Sequence, residues 1–159
     1  RLAEEGRIDI ALTLLQERLD SGRRFCHSQE LFAEHYQVAM APDHHLSKSP
    51  SISLSDLAGE SFVARSHCEY RRVFQELIRS SGVQLNVAYV TNQDDRALRL
   101  VEEGVGVAII PEHQKSPGIV KRPLAEAPAT RTIGFEWGEG ENKEEVDRFV
   151  DFAATARWP

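Results

Sequence analysis

Only two cysteines, Cys26 and Cys68, occur in 159 residues, too few to staple a secreted domain of this size, so a reducing compartment is expected. No run approaches the roughly 18 consecutive apolar residues of a membrane span, and no membrane partner is predicted. Positive charge is also short. Lys and Arg number 19 against 25 Asp and Glu, a net of −6, so the surface is not built to neutralise phosphates and this chain alone should not bind nucleic acid. There is no G-x-S-x-G nucleophile elbow and no recognisable catalytic carboxylate pair, so neither an enzyme nor a cofactor is predicted. Neighbouring ligand types exist in Cys26-His27, His44-His45 and His67-Cys68. Adjacent strand residues point to opposite faces, however, and no C-x-x-C or H-x-x-x-H spacing aims two ligands at one ion, so no metal site is predicted.

What is present is ample apolar material, 41% of the residues, patterned as alternating helix and strand. The chain opens on Arg1-Leu2-Ala3-Glu4-Glu5-Gly6, which reads as the last turn of a helix closed by a glycine, and predicts a fragment of a longer product. Ile8, Ile10 and Leu12 then mark a strand ending at Thr13. The same grammar recurs at Leu100-Val101-Glu102-Glu103-Gly104, followed by the strand-like Val105 to Ile110 run and Pro111. Gly104 and Gly106 thus end a helix and start a strand, whereas a phosphate-binding loop runs from strand to helix.

Residues 25–32 and 36–40 read as two strands, Pro42-Asp43 as a turn, 44–51 as a polar connector and 53–57 as a short helical turn. A strand over 61–64 leads to a helix from Tyr70, Val73, Phe74, Leu77 and Ile78 that Gly82 stops. Residues 85–90 form a strand, Asp94 or Asp95 caps the next helix, and Ala97, Leu98 and Val101 give it an apolar face. A short strand over 119–122, a Pro- and Ala-rich linker over 123–130, and a strand over 131–137 follow. Asn142 and Glu145 read as a capping box for a last helix with Val146, Phe149, Val150 and Ala153 on its apolar stripe. The expected organisation is two lobes, residues 1–42 with 124–159 and residues 43–123, with a ligand between them where strand ends converge.

The segment Arg65-Ser66-His67-Cys68-Glu69 lies between a strand and a helix, where free amides and the helix dipole favour negative charge. It is suited to anion capture by Ser66 or to a reactive Cys68 thiolate; alternatively Ser66 caps the helix and Cys68 packs. Thr91-Asn92-Gln93-Asp94 repeats the arrangement, and Thr13 adds a third polar strand end. Such groups hydrogen-bond a small ligand and leave few strong acids or bases for catalysis. Arg23-Arg24 and Arg71-Arg72 read as solvated faces.

Four motifs in order carry a family resemblance: Gly6-Arg7-Ile8-Asp9-Ile10-Ala11-Leu12; Leu31 with Tyr36-Gln37-Val38-Ala39 and Asp43-His44-His45-Leu46; Ile52-Ser53-Leu54-Ser55-Asp56-Leu57; and Leu100 to Pro111. Over nearly the whole chain this resembles the effector-binding domain of LysR-type transcriptional regulators. The resemblance implies an α/β fold of two Rossmann-like lobes of the type II periplasmic-binding-protein kind, with the effector in the cleft between them. It implies a cytoplasmic homodimer or homotetramer whose DNA contact lies in an N-terminal winged helix-turn-helix outside this sequence, the first strand and helix of the effector domain being absent too. By position, the family's ligand contacts fall on Thr13, on Ser66, His67 and Cys68, and on Asn92 and Gln93. The effector would be a small molecule, and an anion suits the helix N-termini. Peroxide-sensing members of the family carry a reactive cysteine in the loop of Cys68 with a partner cysteine a few residues on, which this chain lacks. Two alternatives stand beside the regulator: a periplasmic solute-binding protein of a transport system, and a thiol-based redox sensor acting through Cys68.

Overall fold

The structure is a computed structural model that describes residues 8–15, 26–68, 71–126, 130–139 and 142–158. In chain order the elements are β1 (Ile10–Leu15), β2 (His27–Met40), β3 (Ser61–Arg65), α1 (Arg71–Ser81), β4 (Asn86–Thr91), α2 (Asp94–Glu102), β5 (Ala108–Pro111), β6 (Val120–Pro123), β7 (Thr130–Trp137) and α3 (Lys143–Ala154). They divide into two compact units, residues 1–34 with 130–159 and residues 35–129.

In the first unit β1 runs antiparallel to β7, from Ile10 opposite Trp137 to Leu15 opposite Thr132, and β7 neighbours β2 on its other side. Val146, Val150 and Ala153 recur at helical spacing and bury one face of α3 against Phe135. Trp158 closes the helix by donating its indole N–H to the Ala153 carbonyl at 3.0 Å. The sequence expectation of a capping box does not hold: the Asn142 side chain makes no cap bond, and its amide donates instead to Asp9 at 3.3 Å. Phe149 belongs to the expected stripe but stays half exposed, its ring set edge-on to Phe135.

The second unit is built on period-two alternation. Phe62 and Val63, Val107 and Ala108, Ile109 and Ile110, and Val38 and Ala39 each send one member to one face and its neighbour to the other. One face packs with Phe74 of α1, and the other with Ala97, Leu98 and Val101 of α2. Helices on both faces are the arrangement that buried parallel strands require. β3 and β4 pair in parallel, Arg65 lying opposite Thr91, and Val107 joins β3 through amide bonds of 2.8 Å in both directions. The C-terminal part of β2 pairs antiparallel with β5 and β6. Gly104 ends α2 with φ of 71°, and a Cβ on Gly106 would stand 2.3 Å from the Ser61 carbonyl oxygen. These two glycines therefore serve a helix stop and a close strand approach.

Several expectations are corrected. Residues 25–32 and 36–40 are not two strands: a single 14-residue strand spans His27–Met40, and residue 25 lies outside the described residues. The gap left over residues 33–35 is part of the strand, and within it the Glu34 carboxylate, 2% exposed, is paired with Arg131 of β7, Nε to Oε1 at 2.6 Å. Thr13 does not end its strand, since β1 continues to Leu15. The connector after Pro42 contains a 3-10 turn, His45–Lys48, that buries Leu46. Part of the linker after Pro123 is also structured: Leu124 is buried and bridges Ile52. The N-cap of α2 is Gln93, not Asp94 or Asp95. The opening helix turn, Gly6, Arg23-Arg24, Glu69 and Tyr70 lie outside the described residues.

Candidate functional site

Parallel pairing of β3 and β4 carries the chain out of both strands at the same end, so residues 66–68 and 92–93 are brought together. The Ser66 amide donates to the Thr91 carbonyl at 2.8 Å, and the Ser66 hydroxyl donates to the same oxygen at 3.2 Å. His67 Nε2 bonds the Asn92 carbonyl. Thr91, buried, accepts the Gln93 amide on Oγ1 at 3.0 Å and so caps the entry to α2 that the Gln93 side chain leaves uncapped. Arg65 at the end of β3 forks onto Asp94 at the start of α2, through Nε at 2.7 Å and Nη2 at 3.0 Å. The two loops are thereby tied by three hydrogen bonds onto two backbone oxygens and by one bidentate ion pair.

The exposed side chains of this pair of loops are His67, Asn92 and Gln93; Ser66 and Cys68 are half-buried. Thr13, also half-buried, lies in the first unit, opposite Gly134 across the β1–β7 ladder. Ser66 spends its hydroxyl on the Thr91 carbonyl, which leaves its oxygen lone pairs as acceptors. Cys68 packs against the buried cluster that includes Phe62 and Phe74, and its amide donates to the Arg65 carbonyl at 3.4 Å.

Beneath Ser66 and Cys68 a pocket of about 340 Å³ opens between α1 and the β3–β4 pair. Its walls are apolar, among them Phe62, Phe74, Ile78, Leu85, Val87 and Val90, and its polar lining comes from Arg65, Ser66, Arg71 and Gln75. The volume falls at the small end of the range for ligand pockets. Sequence reasoning passed over Arg71 as a solvated charge. It is the first residue of α1 and sends Nη1 to within 3.5 Å of the Ser66 carbonyl. The signal that could have found it is its place in the first helical turn after a loop of ligand-binding type.

Two groups of potential metal ligands occur among the described residues, Cys26 with His27 and Glu139, and His44 with His45 and Glu60. The opposite-faces argument fails for the second because these histidines are not on a strand. His44 is the extended N-cap and His45 the first residue of a 3-10 turn, which lays their rings side by side.

An α/β unit with helices on both faces of its sheet and paired loops at the carboxyl ends of its parallel strands is the form of a small-molecule binding domain. The family model for the LysR substrate binding domain matches residues 1–158, and the chain belongs to that family. It is 32% identical over 111 residues to the HTH-type transcriptional regulator CatR of Pseudomonas putida, covering 68% of this chain and 37% of that protein. The chain spans less than half the length of each curated relative it matches. Among solved structures it is similar to the C-terminal domain of a probable LysR family transcriptional regulator from Rhodococcus sp. RHA1. The TM-score is 0.80 at 22% identity, over 97% of this chain and 78% of that one. It is similar in fold also to the CcmR regulatory domain of Synechocystis PCC6803 in complex with 2-PG, with a TM-score of 0.78 at 14% identity, over 96% of this chain and 75% of that one.

Proposed function

We propose that this chain is the effector-sensing part of a DNA-binding transcriptional regulator, and that the loops at residues 66–68 and 92–93 hold one side of the effector. The observation that carries this reading is that the 66–68 loop, hydrogen-bonded to Thr91 and Asn92, opens on a pocket with apolar walls and a polar rim of Ser66 and Arg71. Such a rim suits a small amphipathic anion, its charge near Arg71 and its apolar body against Phe74 and Ile78. Thr13, from the first unit, is the remaining residue that the family resemblance assigns to the effector. The effector acts by its different affinity for two arrangements of the subunits on DNA, and no bond of the effector need be made or broken. The DNA contact lies in a part of the regulator outside this chain, and the assembly is a cytoplasmic homodimer or homotetramer.

That the curated relatives are named as regulators favours this over a transport role. Within the described residues no helix is long and apolar enough to cross a membrane. A thermal-shift screen of small carboxylates and phosphate esters against the chain tests the reading, followed by the hit's effect on operator binding by the full-length protein. Ser66→Ala combined with Thr13→Ala is expected to abolish the thermal shift and the operator response together. Retention of both in the double variant would remove these residues from the site, and hydrolysis or conversion of the hit would replace the sensor with an enzyme.

A further inference from the structure

The Glu60 carboxylate is held between two imidazoles, with His44 Nε2 at 3.2 Å from Oε2 and His45 Nε2 at 2.7 Å from Oε1. The two rings stack at a centroid distance of 4.7 Å and 27° between planes, so both nitrogens face the same carboxylate. The arrangement is fixed by backbone. Pro42 and Asp43 turn the chain out of β2, the His44 carbonyl accepts the Ser47 amide at 2.9 Å, and the Glu60 amide donates to the Leu57 carbonyl at 3.2 Å. Among the described residues these two rings are the side-chain partners of Glu60, and no Lys or Arg forms an ion pair with it. Glu60 is only 23% exposed and His44 18%, whereas His45 is 67% exposed. This half-covered carboxylate is therefore faced by two imidazoles and, among the described residues, by no Lys or Arg.

We propose that His44, His45 and Glu60 form a binding site for a divalent late transition-metal ion, zinc in the first instance. Two imidazole nitrogens and a carboxylate oxygen are the borderline donor set that suits zinc, nickel and copper, and they disfavour magnesium or calcium. Bonds of about 2.0 Å at the tetrahedral angle place donors about 3.3 Å apart. The His44 to Glu60 separation of 3.2 Å meets that already, the His45 to Glu60 contact opens by about half an ångström, and all the donor atoms lie within 4.8 Å of one another. Three protein ligands leave a fourth position for water.

One consequence is specific to this site. His44 Nδ1 accepts the Leu46 amide at 3.3 Å, which keeps the ring proton on Nε2, where it points at Glu60. An ion on Nε2 moves that proton to Nδ1, so the ring stays neutral and the Leu46 amide loses its acceptor.

The experiment is a calorimetric titration of the 159-residue chain with zinc chloride, paired with amide NMR. One equivalent is expected to bind at the His pair, and the Leu46 amide resonance is expected to move in step with occupancy. His45→Ala and Glu60→Gln should each weaken that binding at least about tenfold, the loss typical of damaging even the outer support of a metal site. Cys26→Ser and His27→Ala, which disable the other group of ligands, should leave it unchanged. Metal-free melting curves of each variant check folding, and the exposed His45 ring keeps the test decidable if Glu60→Gln is unstable. No heat of binding, binding lost only in the Cys26 or His27 variants, or a stationary Leu46 amide at saturation would each overturn the proposal.

Discussion

Arg65 and Asp94 meet across 29 residues of sequence in a two-pronged ion pair, the guanidinium 7% exposed and the carboxylate 44%. One residue ends β3 and the other begins α2, so the pair clamps the two loops that carry Ser66, His67, Asn92 and Gln93. Charge-assisted, bidentate bonds fix orientation as well as distance, which a single Lys contact would not.

Asp94→Asn keeps the shape and removes the charge. The partly exposed carboxylate limits the loss, and about 1–2 kcal/mol of destabilisation is expected, read as a lower urea midpoint with an unchanged slope. A change below about 0.3 kcal/mol would mean that the loops are held together by their backbone bonds alone.

Glu34 and Arg131 pose a harder case, because the carboxylate is 2% exposed and sits inside a strand. Glu34→Ala leaves the half-buried guanidinium without this counter-charge, and a loss of about 3 kcal/mol is expected in equilibrium unfolding. A Glu34→Ala variant as stable as the parent would show that water compensates Arg131 fully.

Acid stability has a definite sign at Glu102. The hydroxyl of Ser116 holds its carboxyl below the ordinary value of 4.5, burial opposes this, and the Gly118 amide and Arg99 add to the lowering. A depressed folded value contributes stability that is fully present above pH 4.5 and is lost as pH falls through the lowered value. Ser116→Ala returns Glu102 toward its ordinary value. The parent should therefore be more stable than the variant above pH 4.5, with the gap closing as the solution is made more acidic. A gap that stays constant down to strong acid would assign the effect of the substitution to packing.

How much of this was legible beforehand varies with the physics involved. Alternation and helical spacing depend on neighbours in sequence, and Phe62 with Val63 or Ala97 with Val101 carry them openly. The pairing of residues 66–68 with 92–93 was implied by two strand-to-helix loops of like composition. Long-range charge compensation has no local signature, so residues 33–35 read as a gap between strands although Glu34 is paired there with Arg131. His44 and His45 misled for a related reason: a rule about strands was applied to residues whose backbone turns. Asn142 had a suitable residue three positions on, yet Asp9, distant in sequence, claimed its amide.

Arg71 is the residue on which the proposed site and the stability of the unit separate most cleanly. It is exposed at the start of α1, where a positive charge is opposed by the helix dipole, and it lines the pocket beside Ser66. Arg71→Gln should leave the melting temperature unchanged or slightly raised, since an unfavourable charge leaves the first turn. It should at the same time weaken binding of a small aromatic anion such as 8-anilinonaphthalene-1-sulfonate by about tenfold, the equivalent of one lost charged hydrogen bond of about 1.4 kcal/mol. Measured by fluorescence titration at two salt concentrations, the parent should lose affinity as salt rises and the variant should lose less. Equal affinities and equal salt dependence would show that the guanidinium does not face the bound anion, and the polar lining of the pocket would then consist of Arg65, Ser66 and Gln75.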